Sequence, residues 1–147
     1  QAGYNNTDAS RNTAVGYASL YSNQTNVDNS AFGHNSLFAA TGRANSAFGS
    51  YSGYSLTTGT YNTFLGKDAG YNASQLATAS NSIGIGYGAY TDASNLCQIG
   101  NSSLTLVRSA GDFECSTADG GVILKSPDGT RYKIKVENGG TLTVVAA

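Results

Sequence analysis

An all-β chain is predicted, built as a stacked-repeat β-roll or β-helix that ends in a small antiparallel β-meander. Three observations predict it. A short Asn/Gly unit recurs six times, residues that favour helices are scarce, and the last third of the chain changes its charge and its periodicity. Self-similarity at a fixed period marks architectures in which each unit buries its apolar face only against its neighbours.

The repeats come first. Asn12-Thr13-Ala14-Val15-Gly16 is followed by Asn29-Ser30-Ala31-Phe32-Gly33, Asn45-Ser46-Ala47-Phe48-Gly49 and Asn62-Thr63-Phe64-Leu65-Gly66. Looser copies end in Ile85-Gly86 and Ile99-Gly100. The structural anchors are therefore Gly16, Gly33, Gly49, Gly66, Gly86 and Gly100, spaced 14 to 20 residues apart. A glycine suits a corner with positive φ, or a bend that a β-carbon would obstruct. The large apolar residue before each anchor (Val15, Phe32, Phe48, Leu65, Ile85, Ile99) is expected to point inward. Ser19, Ser36, Ser52, Ala69, Ala89 and Ser103 lie three residues after the anchor glycine, and their small size predicts close backbone approach between coils or subunits. The recurring Asn is expected to stack into a ladder that caps backbone groups. The connectors are polar and vary in length, as surface loops do.

One repeat supplies two or three large apolar side chains, about 5 kcal/mol of burial at ~2 kcal/mol each. Ordering its residues costs on the order of 20 kcal/mol of backbone entropy. Stacked coils share a core, and association of chains would bury a further face, so an oligomer is expected.

The remaining composition bounds the function. Nineteen Gly and ten Tyr accompany a single Pro, and Glu occurs only at Glu114 and Glu137. Charged residues make up 12% of the chain, against roughly 25% in ordinary soluble domains. The net charge of −1 with no basic stripe argues against a nucleic-acid partner. No run approaches the roughly 18 apolar residues of a membrane helix, so no membrane insertion is expected. Cys97 and Cys115 are too few for a disulfide framework and are not at metal-ligand spacing. They are expected to be small, mostly buried thiols, with a bridge between them or between subunits left open. Neither a cofactor nor a metal is expected.

The first hundred residues hold seven charged residues and the last forty-seven hold ten. The predicted domains are accordingly 1–107, the repeat shaft or head, and 108–147, the meander. Leu104-Thr105-Leu106-Val107 reads as a strand leaving the repeats. Gly121 to Ser126 reads as a strand, Pro127-Asp128-Gly129-Thr130 as a turn, and Arg131 to Val136 as a strand of period two. Gly139-Gly140 makes the next turn, and Thr141 to Val145 the last strand. Such a meander needs a cover for one face.

The Asn-(Ser/Thr)-Ala-(Val/Phe)-Gly units resemble those of bacteriophage tail fibres and of trimeric autotransporter adhesin heads. Gln98-Ile99-Gly100-Asn101-Ser102-Ser103-Leu104-Thr105 is similar to the junction that follows such repeats in tail-fibre proteins. The resemblance covers roughly residues 4 to 107. It implies a parallel homotrimer, exposure outside the cell on a virion tail, contact with other tail proteins, and attachment to a bacterial surface receptor. The meander then serves as a tip or a trimer clamp. The expected function is a structural fibre that recognises a surface glycan or an outer-membrane component of the host. Two alternatives are a trimeric adhesin on a bacterial cell surface and a capsule-degrading tailspike.

No catalytic residue is expected. His34 is the only histidine and takes the repeat position of Tyr17 and Tyr87. Asp8, Asp28, Asp68 and Asp92 lie in or beside loops, and a glycan hydrolase needs two carboxyls about 5–10 Å apart, one with a raised pKa. Tyrosines are the best binding candidates, each with a flat apolar face for a sugar ring and a hydroxyl for a hydrogen bond. Tyr17, Tyr21, Tyr51, Tyr54, Tyr61, Tyr71, Tyr87 and Tyr90 lie in the repeats. The glycan patches are placed at Tyr21, Tyr51, Tyr54 and Tyr61, with Asn23, Arg43 and Lys67 beside them.

Overall fold

The computed structural model describes residues 1–112, 114, 122–136 and 140–146. Cys115, Gly121 and Gly139, which carried sequence expectations, lie outside the described residues. The described chain is all-β, with no helix and thus none long and apolar enough to cross a membrane. It divides into two units, Gln1–Thr105 and Leu106–Ala147.

The first unit is a β-solenoid. Its six rungs are β1 (Thr13–Val15), β2 (Ser30–Phe32), β3 (Ser46–Phe48), β4 (Thr63–Leu65), β5 (Ile83–Ile85) and β6 (Cys97–Ile99). They form one parallel sheet in chain order. Thr13 pairs with Ser30, Ser30 with Ser46, Ser46 with Thr63, Thr63 with Ile83 and Ile83 with Cys97. The unequal repeat lengths are absorbed in the connectors, and the rungs stay in register.

The corner glycines have φ of 118° at Gly16, 140° at Gly33, 133° at Gly49, 128° at Gly66, 103° at Gly86 and 73° at Gly100. They also stack, so that a β-carbon at Gly33 would sit 2.3 Å from the carbonyl oxygen of Gly49. Both reasons for glycine, the angle and the space, hold at this corner.

The direction of the large residues is the main correction. Val15, Phe32, Phe48, Leu65, Ile85 and Ile99 point outward, with exposures between 36% and 53%. Side chains alternate along a strand, so with the last residue of each rung outside, the middle one turns inward. That residue is Ala14, Ala31, Ala47, Phe64, Gly84 or Gln98. The coil interior is narrow and takes mostly small groups. Phe64 fits because Gly53, Gly70 and Gly84 surround it, where β-carbons would lie 2.8–3.2 Å from its ring. Leu20, Leu37 and Leu56 complete the core from the connectors.

A column of asparagines closes one side of the interior. Each anchor Asn side chain accepts the backbone N–H one coil on: Asn29 N–H to Asn12 Oδ1 at 2.8 Å, Asn45 to Asn29 at 3.0 Å, Asn62 to Asn45 at 3.0 Å, Ser82 to Asn62 at 3.1 Å. The Nδ2 groups of Asn29 and Asn45 donate to the carbonyls of Gly42 (3.0 Å) and Gly59 (2.9 Å), and that of Asn62 to Ala79 (2.6 Å). Ser19, Ser36, Ser52, Ala69 and Ala89 are buried, whereas Ser103 is exposed. Close approach is thus within and between coils of one chain.

The residues just before this ladder share a left-handed backbone: φ is 56° at Arg11, 63° at Asp28, 55° at Ala44, 60° at Tyr61, 53° at Asn81 and 59° at Asn95. Ala44 pays this strain without the local hydrogen bonds that help Asn and Asp. Ala44→Gly is therefore expected to stabilise the fold by roughly 0.5–1 kcal/mol, the relief of strain exceeding the added entropy of the unfolded chain. A higher urea midpoint at unchanged slope would show it, and a lower one would refute it.

Leu104 to Val107 is not a strand. Leu104 N–H bonds back to the Asn101 carbonyl at 3.1 Å, and its side chain packs beside Gly100. Cys97 is exposed on the outer face of β6, not buried.

The second unit holds a three-stranded antiparallel sheet of β7 (Val122–Lys125), β8 (Arg131–Val136) and β9 (Leu142–Ala146). Leu124 pairs with Tyr132, Ile134 with Val122 and Val144, and Val136 with Leu142, which puts these apolar residues on one face. The turn at Pro127–Thr130 closes through Ser126 N–H to the Thr130 carbonyl at 2.9 Å. Asp128 accepts Ser126 Oγ and Thr130 N–H, and these bonds hold its carboxyl below the usual range.

Candidate functional site

The repeat lays equivalent positions in lines along the solenoid, and two such lines and a polar pocket reach the surface. The first is the apolar stripe of the rung ends, Val15, Phe32, Phe48, Leu65, Ile85 and Ile99. Phe32 and Phe48 stack at 4.9 Å. The stripe ends in an apolar hollow of about 450 Å³ between Ile85, Ile99 and Leu104.

The second line is aromatic. Tyr4, Tyr21, Phe38 and Tyr54 stack with ring centroids 5.0–5.2 Å apart and nearly parallel planes. Tyr71 ends the line, edge-on to Tyr54 at 5.0 Å. The spacing follows from the coil repeat, because neighbouring strands lie ≈ 4.7–4.9 Å apart. Phe38 was not among the sequence candidates, although it lies, like Tyr21, Tyr54 and Tyr71, five residues after an anchor glycine. Beside this line, His34 stacks on Tyr17 at 5.6 Å and meets Tyr51 edge-on at 5.0 Å. His34 is exposed.

The third feature is a polar pocket of about 420 Å³ near the last coils. Asp68, Tyr71 and Asn72 come from one coil, Tyr87 and Tyr90 from the next, and Asn101 from the coil after. Lys67 pairs with Asp68 at the surface and lies 5.4 Å from the centre of the Tyr87 ring.

The predicted glycan residues do not form one patch. Tyr21 and Tyr54 belong to the aromatic line, and Tyr51 contacts both Tyr54 (5.6 Å) and Tyr71 (5.3 Å). Tyr61 stands apart with Arg43, whose guanidinium lies 5.4 Å from its ring centre. Asn23 is fully buried and donates to the Asn26 carbonyl at 2.9 Å, so it has no surface to offer a ligand. Its position equivalence to a loop hid this, since burial of a polar loop residue leaves no periodic trace. Lys67 is exposed at the edge of the pocket.

Among the aspartates, Asp28 is held by Arg11 at 2.6 and 3.0 Å. That bond keeps the Asp28 carboxyl below its ordinary range, opposite to the raised value a general acid needs.

No family model, curated protein or solved structure matches the chain. The surfaces above therefore carry the functional argument.

Proposed function

We propose that this chain is a subunit of a trimeric fibre of the phage-tail type, which holds a host-binding surface away from the virion. The observation that carries this reading is the outer apolar stripe: six large side chains in one straight line, all exposed in the single chain. Continuous apolar surface of this kind marks an interaction site. Because the stripe runs along the stacking direction, side-by-side association of parallel copies would cover its whole length. The apolar face of β7–β9, with Val136, Leu142 and Val144 all more than 60% exposed, calls for the same kind of cover. The number three, the virion location and the bacterial receptor come from the resemblance of the repeats. The low charge and the polar Asn, Ser and Thr loops suit an extracellular fibre. Binding without catalysis is favoured by the clamped Asp28.

Sedimentation under native conditions is expected to give three times the 15.0 kDa chain mass, in a form that resists SDS at room temperature. Phe48→Asp places a carboxylate in the middle of the stripe, and burying it unpaired costs several kcal/mol per copy. That variant is expected to sediment as a single chain. A single-chain mass for the unaltered protein would sink the fibre reading.

A further inference from the structure

The aromatic line is broken after Tyr71, and a pocket lies beside the break. Along the aromatic line each coil contributes a ring, from Tyr4 to Tyr71. The next coil is reached through the longest connector, and Gly70 N–H bonds to the Ala89 carbonyl at 2.7 Å. This pairing puts Thr91 at the position where the next ring is due. Thr91 is buried and bound to Gln75, its N–H donating to Gln75 Oε1 at 2.8 Å. Beside it, the backbone is bare at Gly88. Tyr51 N–H bonds to the His34 carbonyl, Asp68 N–H to Ser50 and Gly88 N–H to Lys67, so Tyr51, Asp68 and Gly88 are equivalent positions. Where one coil places the Tyr51 ring, this coil places no side chain.

Gly88 lines a pocket of about 420 Å³. It lies within the ~300–1,000 Å³ range of small-ligand sites. Its walls are the rings of Tyr71, Tyr87 and Tyr90, and its polar groups are the Asp68 carboxylate, the Asn72 and Asn101 amides and the Ser102 hydroxyl. Lys67 takes one carboxylate oxygen, Oδ2, and balances the charge of Asp68, so the pocket presents acceptors and donors with little net charge. Flat apolar rings set against amides and a carboxylate match a ligand with an apolar ring face and an edge of hydroxyls.

We propose that this pocket binds one or two rings of a neutral saccharide. The proposal rests on the host-binding reading and gives it a site. The Asp68 carboxylate and the Asn amides accept from and donate to adjacent hydroxyls, while a tyrosine ring covers the C–H face of the sugar. Tyr71 joins the pocket to the stacked line, so a longer glycan has a track leading away from it.

The test is an NMR titration of the intact protein with the methyl glycosides of glucose, galactose, mannose and N-acetylglucosamine. At least one is expected to shift the Tyr71, Tyr87, Gly88 and Tyr90 signals saturably. Gly88→Asn fills the floor. Asparagine tolerates the φ of 63° there, and the only close neighbour of its β-carbon, 3.3 Å away, is the flexible Asn101 amide. At least tenfold weaker binding is expected. Asp68→Asn keeps size and backbone tolerance but removes the charge; several-fold weakening is expected, and it decides the matter if the first variant fails to fold. The site is refuted if no glycoside shifts these signals at saturating concentration, if the shifts fall only on Tyr21 and Phe38, or if both variants bind as the parent does. Preference for glucuronate would refute the neutral class. Adsorption to bacterial cells by a protein that ignores all four glycosides would sink the pocket and leave the fibre reading standing. A single-chain mass with intact sugar binding would do the reverse.

Discussion

Gly33→Ala is expected to prevent the solenoid from folding, or to destabilise it by about 4 kcal/mol or more. Two effects add at this residue. The backbone φ of 140° is one that L side chains rarely adopt, at a cost of order 1–3 kcal/mol. The new β-carbon would also lie 2.3 Å from the Gly49 carbonyl oxygen and 2.5 Å from its carbon. These are backbone atoms of the next coil, held on both sides by rung hydrogen bonds, so they cannot step aside as a side chain would. Relief requires the two coils to separate, which breaks the Gly49 N–H bond to the Phe32 carbonyl and that of Tyr51 to His34. Gly111→Ala is the control: nothing lies within 4 Å of its β-carbon. Urea unfolding followed by circular dichroism should show loss of the cooperative transition in the first and no change in the second. A Gly33→Ala protein with the parent midpoint would mean that the corners do not stack as described.

The corners and the Asn ladder were legible because the repeat exposes them: a residue that returns at the same place in every copy marks a place in the coil. The facing of the apolar residues was not legible. Large residues were assigned to the interior because burial is their usual fate. In a coil this narrow the interior takes alanine at three of the rungs, and the large residues go outside. Phe64 could have betrayed this, since it stands at the alanine position and brings Gly53, Gly70 and Gly84 with it. The outer stripe is the surface on which the proposed fibre would associate. The pocket was hidden for a different reason. It is lined by residues of three coils, with Gly88 bare at a position that Tyr51 and Asp68 fill, and such a grouping shows only after the coils are aligned by their hydrogen bonds. The same alignment explains why Tyr71, Tyr87 and Tyr90 converge while Tyr21 and Tyr61 do not.

Asn45→Ala carries the second large effect, and it separates a ladder that holds the coils together from one that merely fills space. Asn45 is fully buried at the centre of the column. Its Oδ1 accepts the Asn62 N–H and Nδ2 groups, both at 3.0 Å, and its Nδ2 donates to the Gly59 carbonyl at 2.9 Å. Alanine removes these three bonds, and a longer one from Nδ2 to Asn29 Oδ1 at 3.3 Å, while leaving the Asn62 N–H and the Gly59 carbonyl inside the coil. Each buried group left without its partner costs about 1–3 kcal/mol, and the vacated space adds to this, so a loss of roughly 3–5 kcal/mol is expected. Asn12→Ala should cost less, because Asn12 is only half-buried at the end of the column and water can replace it. The ordering matters more than either value. If the ladder holds the coils in register, the loss falls from the centre toward the end, and amide hydrogen exchange at Asn62 accelerates with Asn45→Ala. Equal losses at both positions, with unchanged exchange at Asn62, would show that the rungs alone set the register and that the asparagines serve only as polar filling.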